Sequence, residues 1–342
     1  MKILIVLLVL LVSSSMGQVT EQWVQRYCGP GSSSDGGSAL KVDNAGNVFI
    51  LGTTSNGSTT DFITIKYNSS GVMQWLQIYD GTGNSVDRGS AITIDEEGNV
   101  YVSGFSTGVG SRYDFTTIKY DSLGILKWVQ RYNGPGGMDD MPAAISVDNS
   151  GNVYVTGWCS AGVLFDDYAT VKYNSEGVLQ WIQRYNGTGS NQDQARSIAI
   201  DVTGNVYVTG SSYGITSGYD YATVKYNPLG DSLWVRRYNG QVGGADGASL
   251  ISIDPQGNII VAGNSEGSNL LDTNSDFVTI KYNSAGVQQW VQRYAGPSNR
   301  YDDVNALDVD VLGNVYITGL SNGFMTSWDY ATVKYSPSGV RQ

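Results

Sequence analysis

The residues in this chain with chemical potential are aspartates, and they recur. Asp35, Asp87, Asp140, Asp193, Asp246 and Asp302 each stand eight residues ahead of a second aspartate, at Asp43, Asp95, Asp148, Asp201, Asp254 and Asp310. A third series, Asp61, Asp114, Asp167, Asp220, Asp276 and Asp329, opens a β-type stretch in every repeat. A ring of carboxylates at a channel mouth is a ligand set for a hard cation such as Ca²⁺. An aspartate just ahead of a strand more ordinarily caps backbone N–H groups, so capping is the preferred reading and no cofactor is expected. The turn aspartates sit in Asp-x-x-Gly-Asn units without the spacing and terminal Glu of a calcium loop, and they read as hairpin turns. Lys66, Lys119, Lys172, Lys225, Lys281 and Lys334 lie within strands and are expected to snorkel towards the turn carboxylates.

Paired carboxylates are also the requirement of glycoside cleavage. The adjacent pairs Asp139/Asp140, Asp166/Asp167 and Asp302/Asp303 are the candidates for such a hydrolase or lyase. The chain contains no histidine, which removes Ser–His–Asp catalysis and the common zinc sites.

The elements that must position these residues follow from a longer repeat. A Trp-Val-Gln-Arg-Tyr phrase, or a near variant, begins at Trp23, Trp75, Trp128, Trp181, Trp234 and Trp290, a spacing of 52 to 56 residues. Within one unit, Ala91–Ile94 alternates as a short strand and Asp95–Asn99 has turn chemistry. Val100–Gly104 is β-branched and aromatic, Asp114–Tyr120 is a third strand, and Ile125–Tyr132 a fourth after the turn at Asp121–Gly124. Nothing has helical period. Four antiparallel strands in each of six repeats predict an all-β, six-bladed β-propeller. The fragment Gln22–Tyr27 has no strands of its own before it, so it is expected to lie beside Asp329–Tyr335 and complete the last blade.

The units Val147–Gly157 (Val-Asp-Asn-Ser-Gly-Asn-Val-Tyr-Val-Thr-Gly) and Asp167–Asn174 (Asp-Tyr-Ala-Thr-Val-Lys-Tyr-Asn) resemble the bacterial β-propeller repeat known as SBBP, and the related delta-60 type repeat. The likeness recurs six times along the chain. The resemblance implies a secreted or surface propeller with no established catalytic residues. The family name implies seven blades, and this chain departs from it with six.

Lys2, the apolar run Ile3–Val12 and the small residues Ser15 and Gly17 read as a signal peptide over residues 1–17, cut before Gln18. Residues 18–342 are then a single propeller domain, exported to the extracellular space or a periplasm. No other apolar stretch is long enough to span a membrane. A formal charge of −11 opposes nucleic acid as a partner, because phosphate binding needs a cationic footprint. Cys28 and Cys159 fall in different repeats and are expected to stay unpaired.

Across each outer hairpin, Asp114 is expected opposite Arg131, Asp167 opposite Arg184, Asp220 opposite Arg237, Asp276 opposite Arg293, and Asp329 opposite Arg26. In the first blade Asp61 would face Ile78 instead. Aromatic residues outside the repeating template fall in loops between second and third strands: Phe105, Tyr113, Trp158, Phe165, Tyr213, Tyr219, Phe324 and Trp328. Tyr301 precedes the last inner strand. Chain direction places all nine on one rim with Asp139, Asp140, Asp166, Asp302 and Asp303. That rim is the candidate ligand face of a monomeric, non-catalytic binding module for an extracellular glycan or protein, through stacking and hydrogen bonds.

Overall fold

The computed structural model describes residues 20–29, 34–160, 165–189, 191–240, 244–267, 274–298, 300–323 and 327–342. Among them lie 23 strands and no helix, arranged as six antiparallel sheets. The first sheet is β1 (Gly36–Val42), β2 (Val48–Ser55), β3 (Thr60–Tyr67) and β4 (Met73–Tyr79). The second is β5 (Asp87–Ile94), β6 (Val100–Thr107), β7 (Tyr113–Tyr120) and β8 (Leu126–Tyr132). The third is β9 (Asp140–Val147), β10 (Val153–Ser160), β11 (Asp166–Tyr173) and β12 (Leu179–Tyr185). The fourth is β13 (Asp193–Ile200), β14 (Val206–Gly214), β15 (Gly218–Tyr226) and β16 (Ser232–Tyr238). The fifth is β17 (Asp246–Ile253), β18 (Ile259–Glu266), β19 (Ser275–Tyr282) and β20 (Gln288–Tyr294). The sixth has three strands, β21 (Asp302–Val309), β22 (Val315–Asn322) and β23 (Trp328–Tyr335).

The middle strands of the second to fifth sheets are apolar on both faces because each of these sheets is sandwiched between two neighbours. Val100, Tyr101 and Val102 of β6 are fully buried, as are Val206, Tyr207 and Val208 of β14. The core is therefore a series of layers between consecutive sheets. Phe49 and Leu51 pack with Val100 and Val102, and Tyr101 and Phe115 pack with Val153 and Val155. The same arrangement joins the third sheet to the fourth, the fourth to the fifth and the fifth to the sixth.

Each inner hairpin bends at a bulge, as between Gly89 and Ala91 opposite Ser103–Gly104. Gly104 is required there: a Cβ on it would run into the carbonyl oxygen of Arg88 and the ring of Phe62. A second bulge, between Lys119 and Tyr120, resets the outer hairpin so that Arg131 stands opposite Thr116. The expected pairing of Asp114 directly opposite Arg131 is thus displaced by two residues along the strand. The side chains still meet diagonally.

Closure differs from expectation. Residues Gln22–Tyr27 form no strand, and the outer edge of β23 carries a single bridge, Tyr335 with Arg341. The N-terminal segment instead packs on the first sheet, where Tyr27 joins Ile63, Ile65 and Tyr67. Trp23 meets the Tyr67 ring at 6.0 Å and donates its indole N–H to the Ser69 carbonyl at 3.2 Å. Its contacts are already made to one side, and the first half of β23, including Tyr330, is left exposed.

Candidate functional site

Two rims flank the sheets, and the first is built from turns. Asp148 shows the local logic: its Oδ1 accepts from the backbone N–H groups of Ser150 and Asn152, and its Oδ2 from the Asn152 amide. The same carboxylate receives the Tyr154 hydroxyl at 2.9 Å. These aspartates are hairpin fasteners, as the turn chemistry predicts.

The lysines run towards the turn carboxylates as expected, but they hydrogen-bond chiefly to turn carbonyls. Lys66, Lys119, Lys172, Lys225 and Lys281 each donate to a turn carbonyl of the following sheet, at Ser122, Ser175, Pro228, Ser284 and Pro337, over 2.9–3.1 Å. Only Lys281 among these also reaches a turn carboxylate, Asp254, at 2.7 Å. The indole N–H groups of Trp75, Trp128, Trp181, Trp234 and Trp290 donate to the same five carbonyls. Lysine and tryptophan therefore clamp each sheet onto the turn of the next. Sequence reasoning missed this, although the near-constant interval from each Trp to the Ser or Pro two residues before the next turn glycine carried the signal.

The other rim holds the variable hairpins and the inner-strand aspartates. Asp87, Asp140, Asp193, Asp246 and Asp302 are 0–1% exposed. Each accepts from the N–H of the glycine six residues earlier (Gly81, Gly134, Gly187, Gly240 and Gly296), at 2.5–2.7 Å. Asp35 makes the equivalent bond to Gly29 at 2.7 Å. These are caps, as preferred. Burial, with Asp114 nearby, pushes the Asp140 carboxyl up to about 6.

The third aspartate series forms ion pairs beneath this rim. Arg131 meets Asp114 at 2.8 Å, Arg237 meets Asp220 at 2.6 Å, Arg293 meets Asp276 at 2.8 Å, and Arg184 meets Asp167. The guanidinium also reaches the second strand: Arg131 donates to Ser106 Oγ at 2.7 Å and to the Ser106 carbonyl at 2.8 Å. In the first sheet Asp61 has no such partner; burial, with Asp80 and Asp87 beside it, pushes it up to about 6.

The aromatic set is placed unevenly. Phe105 is buried against Tyr113, ring centroids 4.6 Å apart, and Tyr213 packs edge-on against Tyr219 at 5.3 Å. Trp158 and Phe165 are half-buried at the hairpin joining β10 to β11. Tyr301 and Trp328 are each 51% exposed. Phe324 lies outside the described residues. Of the carboxylates, Asp140 and Asp302 are buried caps. Asp166 is buried and accepts from the Gln194 amide at 3.3 Å. Asp139 meets Arg112 at 3.5 Å, and Asp303 accepts from the Asn264 amide. Each adjacent pair thus offers at most one carboxylate to solvent.

A groove of about 440 Å³ opens on this rim between the fourth and fifth sheets, lined by Gln192, Gln194, Ser211, Tyr219, Gly247 and Asn264 among others. Two more grooves lie on the turn rim, one between Asp148 and Asp201 and one between Asp43 and Asp95. Their walls are repeating turn backbone. Cys28 and Cys159 are both free, and burial pushes the Cys159 thiol up to about 11.

The family model described as SBBP, a beta-propeller repeat, matches residues 180–215 and 289–324. The chain carries SBBP-type propeller repeats. Each matched stretch runs from the outer strand of one sheet into the second strand of the next. No curated protein matches the propeller at a significant level. Two structures of an ulvan lyase, described as a new family of polysaccharide lyase, are similar at 11% and 12% identity, each with a TM-score of 0.52 and covering 88% of this chain and 81% of theirs. One of them is bound to -[GlcA(1-4)Rha3S]-. A eukaryotic initiation factor is similar at 8% identity and a TM-score of 0.47, over 89% of this chain; the chain spans 63% of its length. At these identities the likeness is one of fold. Among the described residues no helix is long and apolar enough to cross a membrane.

Proposed function

We propose that this is a secreted, non-catalytic binding propeller whose variable rim takes an extracellular glycan or peptide chain. The observation that carries the reading is the groove beside Tyr219, where amides (Gln192, Gln194, Asn264) and a hydroxyl (Ser211) surround one aromatic ring. That combination suits the hydroxyls and apolar face of a sugar, or an extended backbone. Exposed Tyr301 and Trp328 extend the same rim. The acidic balance favours a neutral or cationic ligand. In this reading residues 1–17 direct export.

The working form of the molecule is a closed ring. Trp23 already occupies the position on the Ser69 carbonyl that Trp75 occupies on Ser122. In the other blades the outer-strand tyrosine packs against the third strand, as Tyr185 does on Tyr168 at 5.3 Å. Closure brings Tyr27 onto Tyr330 in the same way, and Lys334 onto the Ser69 carbonyl.

A glycan array and a peptide library probed with wild type, Tyr219→Ala and Trp328→Ala test the binding reading. Retention lost by the variants at unchanged melting temperature supports it, and equal retention refutes it. The runner-up is a lyase, favoured by the fold likeness to the ulvan lyase. Asp139 and Asp303 are its accessible carboxylates, and turnover of a polysaccharide panel that is lost in Asp139→Asn or Asp303→Asn would establish it.

A further inference from the structure

The first sheet breaks the repeat at two positions, and the two changes meet in space. The arginine of the outer strand (Arg131, Arg184, Arg237, Arg293) is replaced by Ile78. Two residues later, where the other units have Asn133, Asn186, Asn239, Ala295 or Cys28, this one has Asp80. Asp61, Asp80 and Asp87 consequently stand with one carboxylate oxygen from each within 4.8 Å of the others.

Asp61 is 7% exposed and Asp87 is fully buried, and the Asp61 Oδ1 atom is buried without a hydrogen-bond partner. The other oxygen of Asp87 is held by the Gly81 N–H at 2.6 Å. In the second sheet the corresponding carboxylate, Asp114, has its other oxygen on Arg131 at 2.8 Å. A cation is built into that position elsewhere and is missing from the sequence here. Desolvated carboxylates facing one another without a counter-charge are costly, which is why buried charges are paired or coordinate metals.

We propose that Asp61, Asp80 and Asp87 form a binding site for a divalent, oxygen-liganded cation of the calcium class, between the first and second blades. The charges match. Where Arg131 is present, Asp114, Asp140 and one guanidinium sum to one negative charge. Three carboxylates and a divalent ion give the same sum. Oxygens bound at about 2.3–2.6 Å to one ion lie up to roughly 5 Å apart across it, which the observed separation satisfies. The Thr54 carbonyl, equivalent to the Ser106 carbonyl that Arg131 holds, is a further oxygen on the same hairpin. Asp80 is exposed and provides the path in from solvent, where water completes the shell.

The test is calorimetric titration of the EDTA-stripped full chain with calcium chloride, paired with thermal melting. One ion per chain, saturating below about 1 mM, and a raised melting temperature are expected. Asp80→Asn, at an exposed position, should weaken binding at least tenfold. Ile78→Arg should abolish the calcium response and raise the melting temperature of the stripped protein. No binding up to about 10 mM calcium overturns the proposal, as does a response that Asp80→Asn changes less than tenfold or that survives Ile78→Arg. Glycan retention does not enter this readout, so it stands or falls apart from the rim.

Discussion

Tyr330 is 85% exposed in β23, whereas its counterparts Tyr168 and Tyr221 are each 1% exposed and donate their hydroxyls to the Ala222 and Val278 carbonyls of the next sheet at 3.3 Å. If the ring closes, Tyr330 is covered by Tyr27 and the first sheet, and its hydroxyl falls on the Ile63 carbonyl. An aromatic side chain of about 200 Å² then loses roughly 170 Å² of exposure, an upper estimate near 4 kcal/mol at ~25 cal/mol per Å². Truncating a buried aromatic costs about 3–5 kcal/mol, and truncating an exposed one stays within about 0.5 kcal/mol. Tyr330→Ala is therefore expected to lose about 3 kcal/mol or more in urea unfolding at equilibrium. Tyr221→Ala serves as the buried standard, and the two should be similar. A loss below about 0.5 kcal/mol for Tyr330→Ala beside a full loss for Tyr221→Ala would refute closure and leave a ring open between its last blade and its first.

Two further outcomes follow from the clamps and caps. Gly177 has φ of 80°, and a Cβ there would lie 2.8 Å from the Trp128 ring. Gly177→Ala should cost about 2–3 kcal/mol in the same assay, against about 1 for Gly110→Ala, whose φ is 81° but whose Cβ would meet nothing. Asp140 titrates near 6 in the fold and near 3.8 when unfolded, so ionisation is penalised only in the native state. Its contribution is most favourable below about 3.8, declines as pH rises towards 6, and is flat above, a swing of up to about 3 kcal/mol. Subtracting the stability profile of Asp140→Asn from that of wild type, measured from pH 3.5 to 7.5, should isolate this decline, and parallel profiles would contradict the assignment.

Several parts of the molecule were legible because they depend only on nearby residues. Asp148-Asn149-Ser150-Gly151-Asn152 encodes its own turn, since the side chain of Asp148 holds the backbone two and four residues on. Partners in the ion pairs were readable from hairpin arithmetic, but their register was not, because the shift between Lys119 and Tyr120 moves every pair beyond the turn. Asp61 lacking its arginine was visible as Ile78. That Asp80 and Asp87 converge on it was not, since Asp87 begins the next sheet.

The chain by itself determined the repeat length, the strand and turn pattern, and the six sheets. Those features come from alternation, β-branching and turn chemistry acting within about five residues. Tertiary packing alone decided which aspartates are buried caps and where the lysines and tryptophans are tied. It also decided which rim aromatics remain open: Phe105 is 8% exposed and packs on Tyr113, whereas Trp328, on the last sheet, is 51% exposed. Exposure is a property of neighbouring sheets, and a sheet's neighbours are not written in its own residues.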